Sequence, residues 1–276
     1  NEYLMESGDK KYKSKDYKGA ITDYSQILID NPNDLNALFQ RALAKSYLDD
    51  HEGAIKDYTR VIEINPEYAS AFYNRGLSKD EMEDSYGAIS DYSKAIAING
   101  KHKNAFIYRG YAKSDIGDHE GAIKDLTSAI EIDPEDPFGY NGRGYVKEKA
   151  GDYYAAISDY SKAIKIDPEN DYSYSGRAYA KWMIGDKNGA TNDFTKAIQL
   201  NPDEAYAFFG RGIIHKSEGN FKQACEDWII ASDMGYEIAK TRADEVTAKN
   251  LKSELLEIAP SSNEDYFLVP RVVEWQ

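Results

Sequence analysis

Few side chains in this chain of 276 residues could carry catalysis or bind a metal. There are four histidines, His51, His102, His119 and His215, and a single cysteine, Cys225. His51 and His119 are too far apart in the chain to share a metal and read as solvated residues at helix starts. His102 and His215 have no Cys or second His at ligand spacing. Gly142-Arg143-Gly144 and Gly210-Arg211-Gly212 begin a G-x-G match. Both lie in helical patterns and lack the third glycine and the preceding strand of a dinucleotide site. Glu81 and Glu83 read as surface charge, without the burial that tunes a general acid. One cysteine excludes an intrachain disulfide and a Cys-rich zinc site. These residues indicate a chain that is not an enzyme and needs no cofactor or metal.

The elements that would position any site are set by a repeat. Ala20, Ala54, Ala88, Ala122, Ala156, Ala190 and Ala224 recur every 34 residues with no insertion or deletion. Such a clock is the mark of stacked identical units, each docking on the next in the same way. Within residues 69–102, Phe72, Gly76 and Ser78 suit a first helix, and Asp84 marks a turn. Ala88, Ile89, Tyr92, Ala95 and Ile96 then form the apolar stripe of a second helix. Gly117-Asp118, Gly151-Asp152 and Gly185-Asp186 place a C-cap glycine before an N-cap aspartate. Pro32, Pro66, Pro134, Pro168 and Pro202 close the units, and Gly100 stands in that place in the third. Small residues at Ala42, Gly76, Gly110, Gly144, Ala178 and Gly212 let paired helices approach. Cys225 takes the place of Ile21, Ile55, Ile89, Ile123 and Ile157 and reads as core.

Charge narrows the partners. The net charge is −14 and the pI about 4.8. Nucleic acid and anionic membranes both require clustered Lys and Arg, so neither is expected as a partner. No run approaches the ~20 apolar residues of a membrane span.

The period, the small residue eight places into each unit, the alanine twelve places later and the closing proline resemble the tetratricopeptide repeat. The resemblance covers seven units: 1–34, 35–68, 69–102, 103–136, 137–170, 171–204 and 205–238. It implies an all-α, right-handed superhelical solenoid of helix-turn-helix repeats, with residues 239–259 as a C-terminal capping helix. It also implies a non-catalytic scaffold that holds a peptide or partner protein in a concave groove. The alternative is a regulatory or substrate-recruiting module of an enzyme whose catalytic part is absent from this chain. A cytoplasmic location is favoured. The chain opens on Asn1, so a periplasmic location after loss of an export signal stays open.

One departure from the family pattern is systematic. The seventh place of successive units holds Arg41, Arg75, Arg109, Arg143, Arg177 and Arg211, and the eleventh holds Lys45, Lys79, Lys113, Lys147 and Lys181. Like charges four apart on a helix repel. One aspartate per unit on the second helix, Asp57, Asp91, Asp125, Asp159, Asp193 and Asp227, offers the counter-charge. A partly buried Arg–Asp ladder is expected; a row of anion sites is the alternative.

In the family the first helices line the concave face. The corresponding places give an aromatic stripe of Phe39, Tyr47, Tyr73, Tyr111, Phe138, Tyr145, Tyr172, Tyr179, Trp182, Tyr206 and Phe209, joined by the acids Asp80 and Asp115. Exposed aromatics suit anchoring, and an acidic stripe suits an extended partner with basic and apolar residues. Packing between adjacent first helices is the competing reading for some of these rings. Chaperone-binding members clamp a carboxylate with Lys, Asn and Arg; the matching places hold Met5, Asp9, Leu43, Tyr73 and Leu77, so that clamp is absent. The tail, 260–276, is apolar around Pro270. It folds onto the array, lies in a groove of its own or a neighbouring chain, is disordered, or leads into a following domain. Self-association through 261–276 follows from the second reading.

Overall fold

In a computed structural model, residues 1–246 are described. The tail and most of the expected capping helix therefore lie outside the described residues. The helices of the first four hairpins are α1 (Glu2–Lys13), α2 (Tyr17–Asp30), α3 (Leu35–Ser46), α4 (His51–Ile64), α5 (Ala69–Asp80), α6 (Ser85–Ile98), α7 (Lys103–Asp115) and α8 (His119–Ile132). Those of the last three are α9 (Pro137–Lys149), α10 (Tyr153–Ile166), α11 (Asp171–Met183), α12 (Lys187–Leu200), α13 (Ala205–Ser217) and α14 (Phe221–Asp233). A further helix starts at residue 237 and is described as far as 246. No strand occurs among the described residues.

The turn within each hairpin has a local cause. Asp16, Asp50, Asp84, Asp118 and Asp152 cap the second helices, each accepting from the amide three residues on. Such a cap contributes about 1 kcal/mol. Just before the cap the chain turns left-handed. Gly117, Gly151 and Gly185 sit at φ +86, +83 and +85, where a glycine carries no Cβ penalty. The first three hairpins place Lys15, Asp49 and Glu83 in that same conformation without that freedom.

The 34-residue alanines are all fully buried. Four places further on come Tyr24, Tyr58, Tyr92, Leu126, Tyr160, Phe194 and Trp228, also buried. Gly76, Gly144 and Gly212 of the first helices face the Tyr92, Tyr160 and Trp228 rings, a Cβ at Gly76 lying 2.6 Å from Tyr92, while Gly110 faces Leu126 and the Ala122 carbonyl.

The described residues divide into two compact units, one over Asn1–Lys196 and one from Ala197 onward. In the first, each hairpin packs on the next, and the odd helices also touch one another in succession: α1 with α3, α3 with α5, α5 with α7, α7 with α9 and α9 with α11. They form one continuous layer, and the even helices meet the odd ones that flank them. In the second unit Trp228 centres a core with Phe208, Ala231, Ala239 and Val246. Its indole N–H donates to the Phe209 carbonyl at 3.1 Å. Cys225 is half-buried against this core, as its place in the register implies.

Candidate binding face

The charged ladder forms as its spacing requires. Arg109 donates through Nε and Nη2 to both oxygens of Asp125, at 2.8 and 2.6 Å. The same fork joins Arg41 to Asp57, Arg75 to Asp91, Arg143 to Asp159, Arg177 to Asp193 and, in the second unit, Arg211 to Asp227. Lys45, Lys79, Lys113, Lys147 and Lys181 complete each aspartate at 2.7–2.8 Å. One carboxylate thus cancels the repulsion between two cations on the neighbouring helix. In the last hairpin His215 stands at the lysine place, 3.8 Å from Asp227. The first hairpin uses Ser7 and Lys11 on Asp23, which together hold that carboxyl below its ordinary range against the opposing effect of burial.

Two partners of the ladder were not anticipated. From Arg41 to Arg177, each arginine Nη1 also donates to a hydroxyl of the preceding hairpin: Ser25, Thr59, Ser93, Thr127 or Ser161. Each guanidinium from Arg75 onward, Arg211 included, lies over the ring three residues before it, as Arg109 does over Phe106 at 5.6 Å. The hydroxyl recurs at a fixed place in the sequence and could have been found there. The Arg–Asp forks thus fasten the two helices of each hairpin, and the Nη1 bonds fasten that hairpin to the preceding one.

The aromatic stripe divides into exposed and packed rings. Tyr47, Phe138 and Tyr172 are exposed, at 60, 61 and 46%, and Asp115 is exposed as well. Tyr111, Tyr145, Tyr179 and Trp182 are half-buried in the first unit, as are Tyr206 and Phe209 in the second. Phe39 is wedged between Tyr58 and Tyr68, at 5.7 and 5.2 Å, and Tyr73 against His102 at 4.8 Å. These two therefore serve packing as much as any surface. Phe209 packs on Tyr236 at 4.9 Å. Asp80 is half-buried and accepts from the Tyr92 hydroxyl at 2.6 Å. Burial pushes its carboxyl up to about 6. Glu148 stands in the same place two hairpins on, accepts from Tyr160 at 3.0 Å, and is pushed by burial up to about 7.

Two cavities open on the odd-helix layer. The first, about 360 Å³, lies between α3 and α5 and reaches Tyr58 of α4, with Tyr47, Leu77 and Tyr108 among its walls. The second, about 280 Å³, is lined by Ile107, Tyr111, Asp136, Phe138 and again Tyr108. Tyr108 is 40% exposed and is the shared wall. It stands one place beyond those taken from the family pattern and was missed for that reason. His51 also differs from expectation. It is half-buried in the first cavity because the tight turn folds the start of α4 against α3. His119 is half-buried likewise, with Nδ1 3.4 Å from the Ser114 hydroxyl.

No cluster of three His, Cys, Asp or Glu side chains suited to a metal occurs among the described residues. No described helix is long and apolar enough to cross a membrane.

Comparison with known proteins agrees with this architecture. Residues 137–170 and 106–136 match profiles described as tetratricopeptide repeat, and residues 47–79 one described as TPR repeat. A tetratricopeptide repeat protein from Parabacteroides merdae superimposes with a TM-score of 0.74 at 21% identity, over 89% of this chain and 98% of that one. YrrB, described as a TPR protein with an unusual peptide-binding site, does so at 0.54 and 20% identity, over 67% of this chain and 95% of its own. Both likenesses are of fold. A component of the aspartyl/glutamyl-tRNA(Asn/Gln) amidotransferase of Pelagibacter ubique is 54% identical over 35 residues, which span 13% of this chain and 37% of that protein. Tandem 34-residue hairpins, three stretches of which match the family's own profiles, on a fold shared with its solved members, make this chain a tetratricopeptide-repeat protein.

Proposed function

We propose that this protein is a non-catalytic scaffold and that the odd-helix layer of residues 1–196 receives an extended segment of a partner protein. The carrying observation is Tyr108, an exposed ring walling two adjoining cavities on that layer. Paired hollows beside exposed Tyr47 and Phe138 offer successive seats for side chains of one extended chain. Aromatic anchors supply large contact area at low entropic cost. The exposed acid Glu81, which lines the first cavity, favours a segment with basic as well as apolar residues. The description of YrrB as a TPR protein with an unusual peptide-binding site supports this reading.

The test is co-purification of partners with the full chain and with two variants. Tyr47→Ala/Tyr108→Ala/Tyr111→Ala alters the odd-helix layer. Tyr86→Ala/Tyr154→Ala removes equally large exposed rings from α6 and α10. Partners should be lost from the first and kept by the second. The same partner set on both would overturn the assignment.

A further inference from the structure

We propose that the cavity over Tyr58 is a recognition pocket for one side-chain carboxamide, glutamine or asparagine, of the partner segment, an assignment that rests on the odd-helix layer being the binding face. In three hairpins the buried tyrosine of the second helix ends on a carboxylate: Tyr24 on Asp9, Tyr92 on Asp80 and Tyr160 on Glu148. Ser46 occupies, in the α3–α4 hairpin, the place of Asp80 and Glu148. Its hydroxyl is engaged by the Ala42 carbonyl at 3.1 Å and lies 3.3 Å from Ser78 Oγ. The carboxylate is thus missing from this hairpin, and the cavity of about 360 Å³ opens there.

Two buried polar atoms at this cavity have no hydrogen-bond partner, Tyr58 Oη and His51 Nδ1. Burial holds the Tyr58 phenol protonated by raising its pKa, so it presents a donor. Placing the ring proton of His51 on Nε2, the nitrogen 3.9 Å from Asp49, leaves Nδ1 as an acceptor. A ligand that satisfies both must accept once and donate once. A carboxamide does so. A guanidinium or ammonium has no lone pair for the phenol proton. A carboxylate has no proton for His51, and it would face Asp49 and Glu81 in a cavity lined by no Lys or Arg. An aliphatic side chain would leave both atoms orphaned, which is the costly outcome for buried polar groups. Asn74, with its Nδ2 donating to the Ser70 carbonyl at 2.7 Å, adds Oδ1 as an acceptor for the second amide proton.

The test uses blocked dodecamer peptide libraries, random except for one central position fixed as Gln, Glu, Arg or Leu, captured on the immobilised full chain. The Gln library should be retained about five-fold over the others, the factor expected for one neutral hydrogen bond. Tyr58→Phe should abolish that preference with little loss of thermal stability, because the deleted hydroxyl has only a weak interaction with Ser46 and no hydrogen bond of normal geometry. His51→Leu should abolish it independently. Equal or better retention of the Glu, Arg or Leu library, or a Gln preference that survives Tyr58→Phe, overturns the pocket assignment. The variant Tyr47→Ala/Tyr108→Ala/Tyr111→Ala separates the two levels. Retention that depends on these rings but not on Gln defeats the pocket alone, whereas libraries held no better by the wild type than by this variant defeat the binding face and the pocket together.

Discussion

Replacing Arg109 with Met tests whether the charged ladder is a fastening. Arg109 and Asp125 side chains are 16 and 5% exposed. The substitution keeps much of the aliphatic stem over Phe106 and deletes two bonds to Asp125 and one, at 2.9 Å, to Ser93. Stripping a buried carboxylate of every cation costs about 3–5 kcal/mol. Asp125 still has Lys113 at 2.8 Å, so about 2–3 kcal/mol is expected for Arg109→Met. Lys113→Met removes one bond and leaves the bidentate fork; about 1–2 kcal/mol follows, the net worth of one charge-assisted bond. Asp125→Asn strands both cations and should be the worst of the three, at about 3–5 kcal/mol. Urea titration followed by far-ultraviolet circular dichroism reads the series. Both midpoint and slope must be reported, because an array can lose cooperativity when a middle repeat is weakened. Melting unchanged in Arg109→Met, with partner affinity sharply reduced, would refute the fastening and favour a row of anion sites.

Other consequences are open to direct measurement. Glu83 turns left-handed at φ 61 where later hairpins use glycine, so Glu83→Gly should raise stability by about 0.5–1 kcal/mol, the relief of αL strain less the entropy of a freer unfolded chain; a lower urea midpoint would contradict this. Glu148 has its folded pKa raised to about 7 from an ordinary 4.5. The folded state therefore binds the extra proton, and this group's stabilisation, full below about pH 4.5, is lost as pH rises through about 7. Glu148→Gln should flatten the fall in melting temperature between pH 5 and pH 8 relative to wild type; an unchanged slope would show that the carboxyl is not perturbed. Ala88→Leu forces extra volume between helices at a fully buried site and should cost about 1–3 kcal/mol in the same titration, while no loss would mean the hairpin is less tightly packed than described.

The fold was legible because its determinants are local and repeat. Asp-capped turns, left-handed glycines and the fixed alanine each act within one hairpin, and the register copies them along the chain. The ladder was legible for the same reason: Arg, Lys and Asp recur at constant offsets, and an uncompensated Arg–Lys neighbour demands an anion. The candidate face was read less completely. Of the family's places, Tyr47, Tyr111 and Phe138 lie beside cavities. They could not tell that Phe39 would be wedged by Tyr58 and Tyr68, since burial depends on the size of neighbours in adjacent hairpins. Tyr108 and His51 fell outside the pattern because their positions follow from how two hairpins stack. The hollow over Tyr58 arises where the repeat is broken, at Ser46, and a reading built on regularity passes over such a place.

Site-specific photo-crosslinking tests the central claim most directly. A benzophenone side chain is placed singly at Tyr47, Tyr111, Tyr86 or Tyr154 of the full chain, and adducts are mapped by mass spectrometry after irradiation in the presence of bound partner. The account predicts adducts to one contiguous segment of the partner from Tyr47 and Tyr111, on the odd-helix layer, and none from the exposed Tyr86 and Tyr154 on α6 and α10. Adducts from the α6 and α10 positions, with none from Tyr47 or Tyr111, would contradict it.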